Sequence, residues 1–376
     1  MDIFDKPPAI IQSFEQRKKQ SNVPIDKGQF TLETKEREQL FEKNRGSDDP
    51  EGYKEYRRRW SEYPRTQYIA EYPLHVDIEL ASICNLKCPM CYTITPEFKN
   101  KVNTKLMKFE LFQKIIDEIA GKGVYSIRLS LRGESFLHKK IIDCVRYAKE
   151  KGIKEVSTLT NGVKLDEEFF TKIMEAGIDW ITISVDGIGK TYESIRAPAK
   201  FDRLVEKLRN FQKIKQAAGR VKPVIKIQGI LPSLRTNLTE YYEIFSPIVD
   251  MVSSNPLIDY LQKDDASKLE YVKDFTCPQH YQRLIIGADG TAMMCSNDEE
   301  NESPVGDANA QTIHEIWHGK LLNAAREAHK AHEGVKCYSI CRKCYIPRET
   351  FTEELKIGAR SVYAENYTNR SQEIGS

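Results

Sequence analysis

The chain has 376 residues, with 57 Lys and Arg against 55 Asp and Glu, for a formal net charge of +2. That balance gives no electrostatic drive toward nucleic acid or an acidic membrane surface. No run approaches the ~18 consecutive apolar residues of a membrane span. The opening Met1-Asp2-Ile3-Phe4-Asp5-Lys6-Pro7 lacks a basic stretch followed by an apolar core, so no signal peptide is expected. The expected location is cytoplasmic.

Residues 1–70 are polar and broken by Pro7, Pro8, Pro24 and Asp48-Asp49-Pro50. Two short helices are predicted there, at 33–44 and 51–60, within an extension that wraps the outside of the main core. Arg57-Arg58-Arg59-Trp60 reads as a solvated helix face, with contact to an anionic ligand as the alternative.

From residue 74 strand and helix patterns alternate. Strands are predicted at 75–81, 124–131, 154–160, 178–185, 223–231 and 248–253. Helices are predicted at 109–120, 139–151, 166–176, 201–217 and 238–247, from apolar residues at helical spacing. Gly121, Gly152 and Gly177 mark helix ends. Such alternation implies a parallel sheet with right-handed crossovers. Six strands imply an open, partial (β/α)6 TIM-like barrel spanning residues 71–258, with chemistry at the C-terminal strand ends. Cys144 lies on the apolar stripe of the fourth-decade helix 139–151 and reads as a core thiol.

A second, cysteine-rich unit is expected over 259–350. Strands 282–287 and 291–295 flank the turn Ala288-Asp289-Gly290, and 311–332 is mostly helical. His280, His314, His318, His329 and His332 read as surface or helix histidines. The tail 351–376 is expected to be polar, and frayed from 358 on.

Eight of the nine cysteines fall between 84 and 91 or between 277 and 344. Close spacing in a long chain without a leader favours metal or cluster binding over disulfides. Cys84, Cys88 and Cys91 follow the first strand as C-x3-C-x2-C. Three thiolates can hold three irons of a cubane, which normally takes four, and leave one iron open. Cys337, Cys341 and Cys344 repeat the spacing.

With a cluster loop leaving the first strand of a six-stranded barrel, the chain resembles the radical S-adenosylmethionine enzymes over residues 74–255. The resemblance implies a [4Fe–4S] cluster on Cys84, Cys88 and Cys91, with S-adenosylmethionine on its open iron. Further residues match at successive strand ends. Gly133 and Glu134 stand where the family receives the methionyl amino group. Asn161 follows the third strand. Ser184 stands where relatives reach the ribose or methionyl group, and Arg196 where relatives pair the methionyl carboxylate, a match for a guanidinium fork. Leu231 stands where relatives pack on adenine. Met90 and Tyr92 flank the third cysteine, where many members carry an aromatic residue just before it.

Residues 270–350 resemble a SPASM or Twitch auxiliary domain. The resemblance implies one auxiliary [4Fe–4S] cluster on Cys277, Cys295, Cys341 and Cys344. A structural zinc site is the alternative. Cys337 is then surplus: it replaces one ligand, donates a hydrogen atom to a substrate radical, or stands by.

The family implies reductive cleavage of S-adenosylmethionine to a 5′-deoxyadenosyl radical and abstraction of hydrogen from a substrate. The expected substrate is a small molecule of carbohydrate or aminocyclitol type, undergoing dehydrogenation, epimerisation or elimination. A low-potential flavodoxin or ferredoxin is the expected electron donor. The first alternative is a peptide- or protein-modifying maturase; the second, from another class, is a non-catalytic zinc-binding interaction protein.

Overall fold

Seven strands run parallel in the computed structural model of the chain, which describes residues 22–258, 261, 265–368 and 374. The N-terminal part contributes β1 (Phe30–Thr31), α1 (Lys35–Arg45) and α2 (Pro50–Thr66). The barrel follows with β2 (His75–Ile78), α3 (Phe109–Ile119), β3 (Ser126–Arg128), α4 (Ile141–Glu150) and β4 (Glu155–Thr160). It continues with α5 (Glu167–Glu175), β5 (Trp180–Ser184), α6 (Phe201–Ala217), β6 (Val224–Ile230), α7 (Leu238–Phe245) and β7 (Met251–Asn255). The six expected barrel strands are β2 to β7, each paired in parallel with the next.

Helices form where the apolar spacing requires them. Leu111, Phe112, Ile115, Ile116 and Ile119 make one buried face of α3. Cys144 is fully buried in the same core. Inward-facing residues alternate along each strand with residues packed under the helices. The partial barrel is therefore filled from inside by His75, Arg128, Ser157, Thr182 and Lys226, rather than by apolar layers.

The cysteine-rich unit joins this sheet. β8 (Arg283–Ile286) pairs in parallel with β2, Val76 opposite Leu284. β9 (Thr291–Met293) and β10 (Pro304–Asp307) then continue antiparallel. The expected hairpin thus extends the barrel sheet beyond β2.

Part of residues 22–70 wraps the core, since β1 pairs antiparallel with β7 at the outer edge of the sheet. The rest closes the N-terminal end of the barrel as a floor; residues 1–21 lie outside the described residues. Arg45 of α1 donates Nε and Nη2 to Glu155 at 2.6 and 2.9 Å. Both side chains are buried at the foot of β4. Arg57 of α2 pairs with Asp26 at 3.1 Å, and Trp60 packs edge-on against His75. Of the expected solvated face, only Arg58 and Arg59 are solvated, on Glu55 and Glu62. Burial of an arginine is feasible here because each one has a carboxylate partner.

The frayed tail is also corrected. β11 (Thr350–Ile357) and β12 (Arg360–Tyr367) form a hairpin across Gly358-Ala359, with Gly358 at φ +57°. Ile357, Val362 and Ala364 are buried on one face of it. A long run of charged residues at alternate positions hid that stripe. Among the described residues no helix is long and apolar enough to cross a membrane.

Arg45→Ala is expected to lower stability by about 3 kcal/mol, because it leaves Glu155 buried without its partner. Urea unfolding checks this, and a double Arg45→Met, Glu155→Met variant is expected to recover most of the loss.

Candidate active site

Cys84, Cys88 and Cys91 lie on the loop that leaves β2. The backbone turns there, with the Cys91 amide donating to the Cys88 carbonyl at 3.0 Å. The Cys84 thiol is exposed and accepts from the Leu86 amide at 3.4 Å. Burial pushes the Cys88 thiol up to about 11; Arg196 opposes this, while Cys91, Asp186 and Cys84 reinforce it. The three thiols therefore share one electrostatic neighbourhood. A metal taking them as thiolates releases their protons.

The strand ends pack beneath this loop. Gly133 has φ +60°, and a Cβ there would stand 2.5 Å from the Ile83 carbonyl and 2.6 Å from that of Ala81. Only glycine lets the end of β3 approach the cysteine loop so closely. The Glu134 amide then donates to the Ile83 carbonyl at 2.8 Å. The Glu134 carboxylate is buried and accepts three bonds. Phe136 N and Thr160 Oγ1 reach Oε1 at 3.0 and 2.8 Å, and Asn161 N reaches Oε2 at 2.7 Å. Burial pushes its carboxyl up, against those donors. Glu134 thus ties the end of β3 to the end of β4. Asn161 in turn donates to Asn85 of the cysteine loop at 2.8 Å and stands 3.9 Å from Cys84 Sγ.

Arg196 is half-buried near Cys88, on the turn after the helix Gly189–Ile195. Its Nε and Nη2 hold Asp186 Oδ2 at 2.9 and 2.6 Å. Asp186 is fixed by the Ile230 amide at 2.9 Å. Among the described residues, Nη1 of Arg196 has no partner and remains free to donate. Ser184 ends β5 opposite Gln228. Met90 packs with Ile195, Leu257 and Ile230 next to Cys88. Tyr92 sits edge-on to Phe98 and lines the cavity below.

Leu231 is not at the site. It is fully buried between Phe30 and Ala364, on the opposite face. The strand ends at Ile230, which takes the face toward Met90 and Cys88, while Leu231 opens the short helix Leu231–Leu234 and points elsewhere.

The second cysteine group gathers Cys277, Cys295, Cys341 and Cys344. Burial pushes Cys277 up to about 12 and Cys344 to about 11, and nearby thiols raise Cys277, Cys295 and Cys341 further. Asn297 Nδ2 donates to Cys344 Sγ at 2.9 Å, and His329 Nε2 stands 3.6 Å from Cys341 Sγ. Cys337 is exposed at the end of a short helix and raises none of the four. All nine cysteines are free thiols. Among the described residues no His, Cys, Asp or Glu trio stands at single-ion spacing. The thiols shift one another's ionisation, so they lie close enough to ligate one metal centre together, and soft thiolates suit an iron–sulfur cluster or zinc.

His280 and His329 are not surface residues. Both are buried, their rings meet at 4.9 Å, and burial holds both imidazoles below the usual histidine range. Glu79 and Arg132 were not singled out by sequence. Arg132 Nε and Nη2 grip the Glu79 carboxylate at 2.7 and 2.6 Å. Its Nη1 reaches Glu299 O and Asn301 Oδ1 at 3.1 and 2.9 Å. A charged residue at the end of each of two neighbouring strands was the available signal.

A polar cavity of about 310 Å³ runs down the barrel from Tyr92, Asn297 and Glu299 to the Trp60 floor. Glu302 lies nearby, outside the cavity wall. It accepts from Ser339 at 2.8 Å and from Lys343 at 2.8 Å, and pairs with Lys101 at 3.5 Å.

The chain was compared with known proteins. The radical SAM superfamily model matches residues 78–225, and an iron–sulfur cluster-binding domain model of SPASM type matches 277–345. An Fe-coproporphyrin III synthase of Methanosarcina barkeri is 35% identical over 132 residues, 34% of this chain and 31% of that protein. A probable GTP 3′,8-cyclase of Methanococcus maripaludis is 29% identical over 181 residues, 48% of this chain and 52% of that protein. The chain thus spans about a third and about half of these two curated relatives. The crystal structure of BtrN in complex with AdoMet and 2-DOIA is 18% identical, with a TM-score of 0.50. It covers 73% of this chain and 93% of its own. At that identity the likeness shows the fold.

Two predictions follow from this geometry. Glu134→Ala strands three donors, each worth about 1 kcal/mol or more when left unsatisfied, and is expected to lower stability by about 3 kcal/mol in thermal unfolding. Burial pushes the Glu302 carboxyl up, but Lys343 and Ser339 outweigh it and hold it down to about 2, from an ordinary 4.5. Its folded value lies below its unfolded value, so its contribution is complete above 4.5 and is lost as pH falls toward about 2. Glu302→Gln is expected to flatten that part of the acid-unfolding curve, measured against wild type.

Proposed function

The chain belongs to the radical SAM superfamily and carries a SPASM-type iron–sulfur domain, and from that premise we propose that it is an oxidoreductase acting on a small polar molecule held in the barrel cavity. Its cofactors are a [4Fe–4S] cluster with S-adenosylmethionine and auxiliary iron–sulfur binding in the SPASM-type domain. When bound, they supply a 5′-deoxyadenosyl radical that takes hydrogen from a substrate carbon.

In this reading Cys84, Cys88 and Cys91 hold the first cluster. The free Nη1 of Arg196 meets the methionyl carboxylate. Glu134 holds the strand ends and, with acceptor capacity left on Oε2, also meets the methionyl amino group. Met90 and Ile230 offer the apolar wall for adenine. Cys277, Cys295, Cys341 and Cys344 hold one auxiliary cluster, and Cys337 stands by.

The observation that carries the small-molecule reading is the polar cavity of about 310 Å³ inside the barrel, lined at its foot by Arg45 and Trp60. A polar wall suits a hydroxyl-rich molecule of carbohydrate or aminocyclitol type. The described part of the N-terminus supports this over peptide modification, since residues 22–70 give helices and one two-residue strand, not a peptide-gripping hairpin module. The reaction requires an electron donor, proposed to be a flavodoxin or ferredoxin. Thiolate ligand sets suit a reducing, cytoplasmic compartment.

Anaerobic reconstitution tests the reading. Wild type is expected to hold about eight irons, and a Cys84/Cys88/Cys91→Ala triple variant about four, at four irons per cubane. Dithionite-dependent 5′-deoxyadenosine is expected from wild type only. Tightly held zinc without iron would overturn the enzyme reading.

A further inference from the structure

We propose that the cavity is built for a substrate carrying an oxyanion, either carboxylate or phosphate, and that the Lys226 ammonium is its counter-ion. This rests on the small-molecule reading above and adds the substrate's chemical class.

Lys226 is the third residue of β6 and faces the cavity, with 5% of its surface exposed. Among the described residues it has no hydrogen bond and no ion pair. Its one specific contact is with the ring of Trp180, 5.7 Å from Nζ to the centroid. A buried ammonium left without an acceptor is costly. Every other cation around it is engaged. Arg45 takes Glu155, with Glu42 at 3.9 Å, and Arg57 takes Asp26. Lys27 donates to the Arg348 carbonyl. Arg128 and Arg283 share the single carboxylate of Asp77, at 2.7 and 3.2 Å. Two arginines on one carboxylate and a lysine on none leave this wall short of negative charge.

Unmet hydrogen-bonding groups point the same way. Trp180 Nε1, Arg57 Nε and Arg283 Nε are buried donors without acceptors, against the acceptors Glu42 Oε1 and Asn255 Oδ1. At the upper end burial pushes the Glu299 carboxyl up to about 8, so it supplies little negative charge at neutral pH. Burial and the neighbouring Arg45 lower Lys226 to about 8, and an incoming anion would reverse that shift. The cavity continues upward to Tyr92, on the cysteine loop. An anion seated on Lys226 therefore leaves the rest of a small molecule extending toward the reacting end.

The test uses reconstituted holoprotein saturated with S-adenosylmethionine, so that its own carboxylate site is filled. Inorganic pyrophosphate and succinate are titrated by calorimetry into wild type, Lys226→Met, Lys226→Gln, Lys226→Arg and the surface control Lys172→Met. Wild type is expected to bind one probe better than the other, which separates phosphate from carboxylate. Both neutral variants are expected to bind it about tenfold to a hundredfold more weakly, the loss of one charge-assisted bond. Lys226→Arg and Lys172→Met are expected to retain binding. Neutral variants are expected to unfold at or above the wild-type temperature, since they remove an unpaired buried charge. Wild type binding neither probe, or neutral variants binding as well as wild type, would overturn the anion site. So would equal weakening in Lys172→Met. Formation of 5′-deoxyadenosine without substrate reads the radical chemistry separately: a wild type that cleaves S-adenosylmethionine but binds no anion loses only this inference.

Discussion

The buried pair between Glu79 and Arg132 is the constraint around which the site is assembled. Glu79 follows β2 and Arg132 follows β3, and both are almost completely shielded from water. The Glu79 carboxylate also accepts from the Arg132 amide and, at 3.0 Å, from the Ala288 amide of the β8–β9 turn. Arg132 extends to residues 299 and 301 of the SPASM-type region. One carboxylate thus joins two barrel strands and the second cysteine-rich unit directly beneath the Cys84 loop. Buried ion pairs of this kind add little net stability, but they fix geometry, because any arrangement that separates them strands a charge.

A chain of further polar ties follows. Gly133 brings the β3 end against the cysteine loop, Glu134 fastens it to the β4 end, and Asn161 returns to Asn85. Asp186 does the same between β5, Arg196 and β6. Three pairs of neighbouring strand ends, β2 with β3, β3 with β4 and β5 with β6, are thus bonded through a side chain where the regular ladder has stopped. The cysteine loop rests on these bonds.

Much of this was legible in the sequence. The alternation of strands and helices was, because a parallel sheet needs buried strands and amphipathic crossovers. The cysteine spacings were, because few other uses demand them. What was not legible depended on partners distant in sequence. Ile230 ends β6 and Leu231 begins the next helix, so their faces differ by where the strand stops, which sequence does not fix to a residue. Arg57 read as solvated because charge is usually solvated; only the folded floor supplies its partner Asp26, as it supplies Glu155 to Arg45. Lys226 did leave a trace, a lone charge inside Val224-Ile225-Lys226-Ile227. His280 and His329 were missed because short sequence separation from cysteines says nothing of burial. The β11–β12 hairpin was hidden by its outward Glu and Lys residues.

The parallel pairing of β8 with β2 has a consequence for how this chain can be divided. β8 covers what would otherwise be the open flank of the first barrel strand, with the Glu79 amide bonded to the Ile286 carbonyl at 2.8 Å. A chain cut after the last barrel strand would present β2 as a bare edge, with unpaired amides and carbonyls ready to add any other strand. The cysteine-rich region is therefore not a detachable accessory. It serves as the barrel's selvedge, and the two halves share one hydrogen-bonded fabric that neither can lose without unravelling toward aggregation.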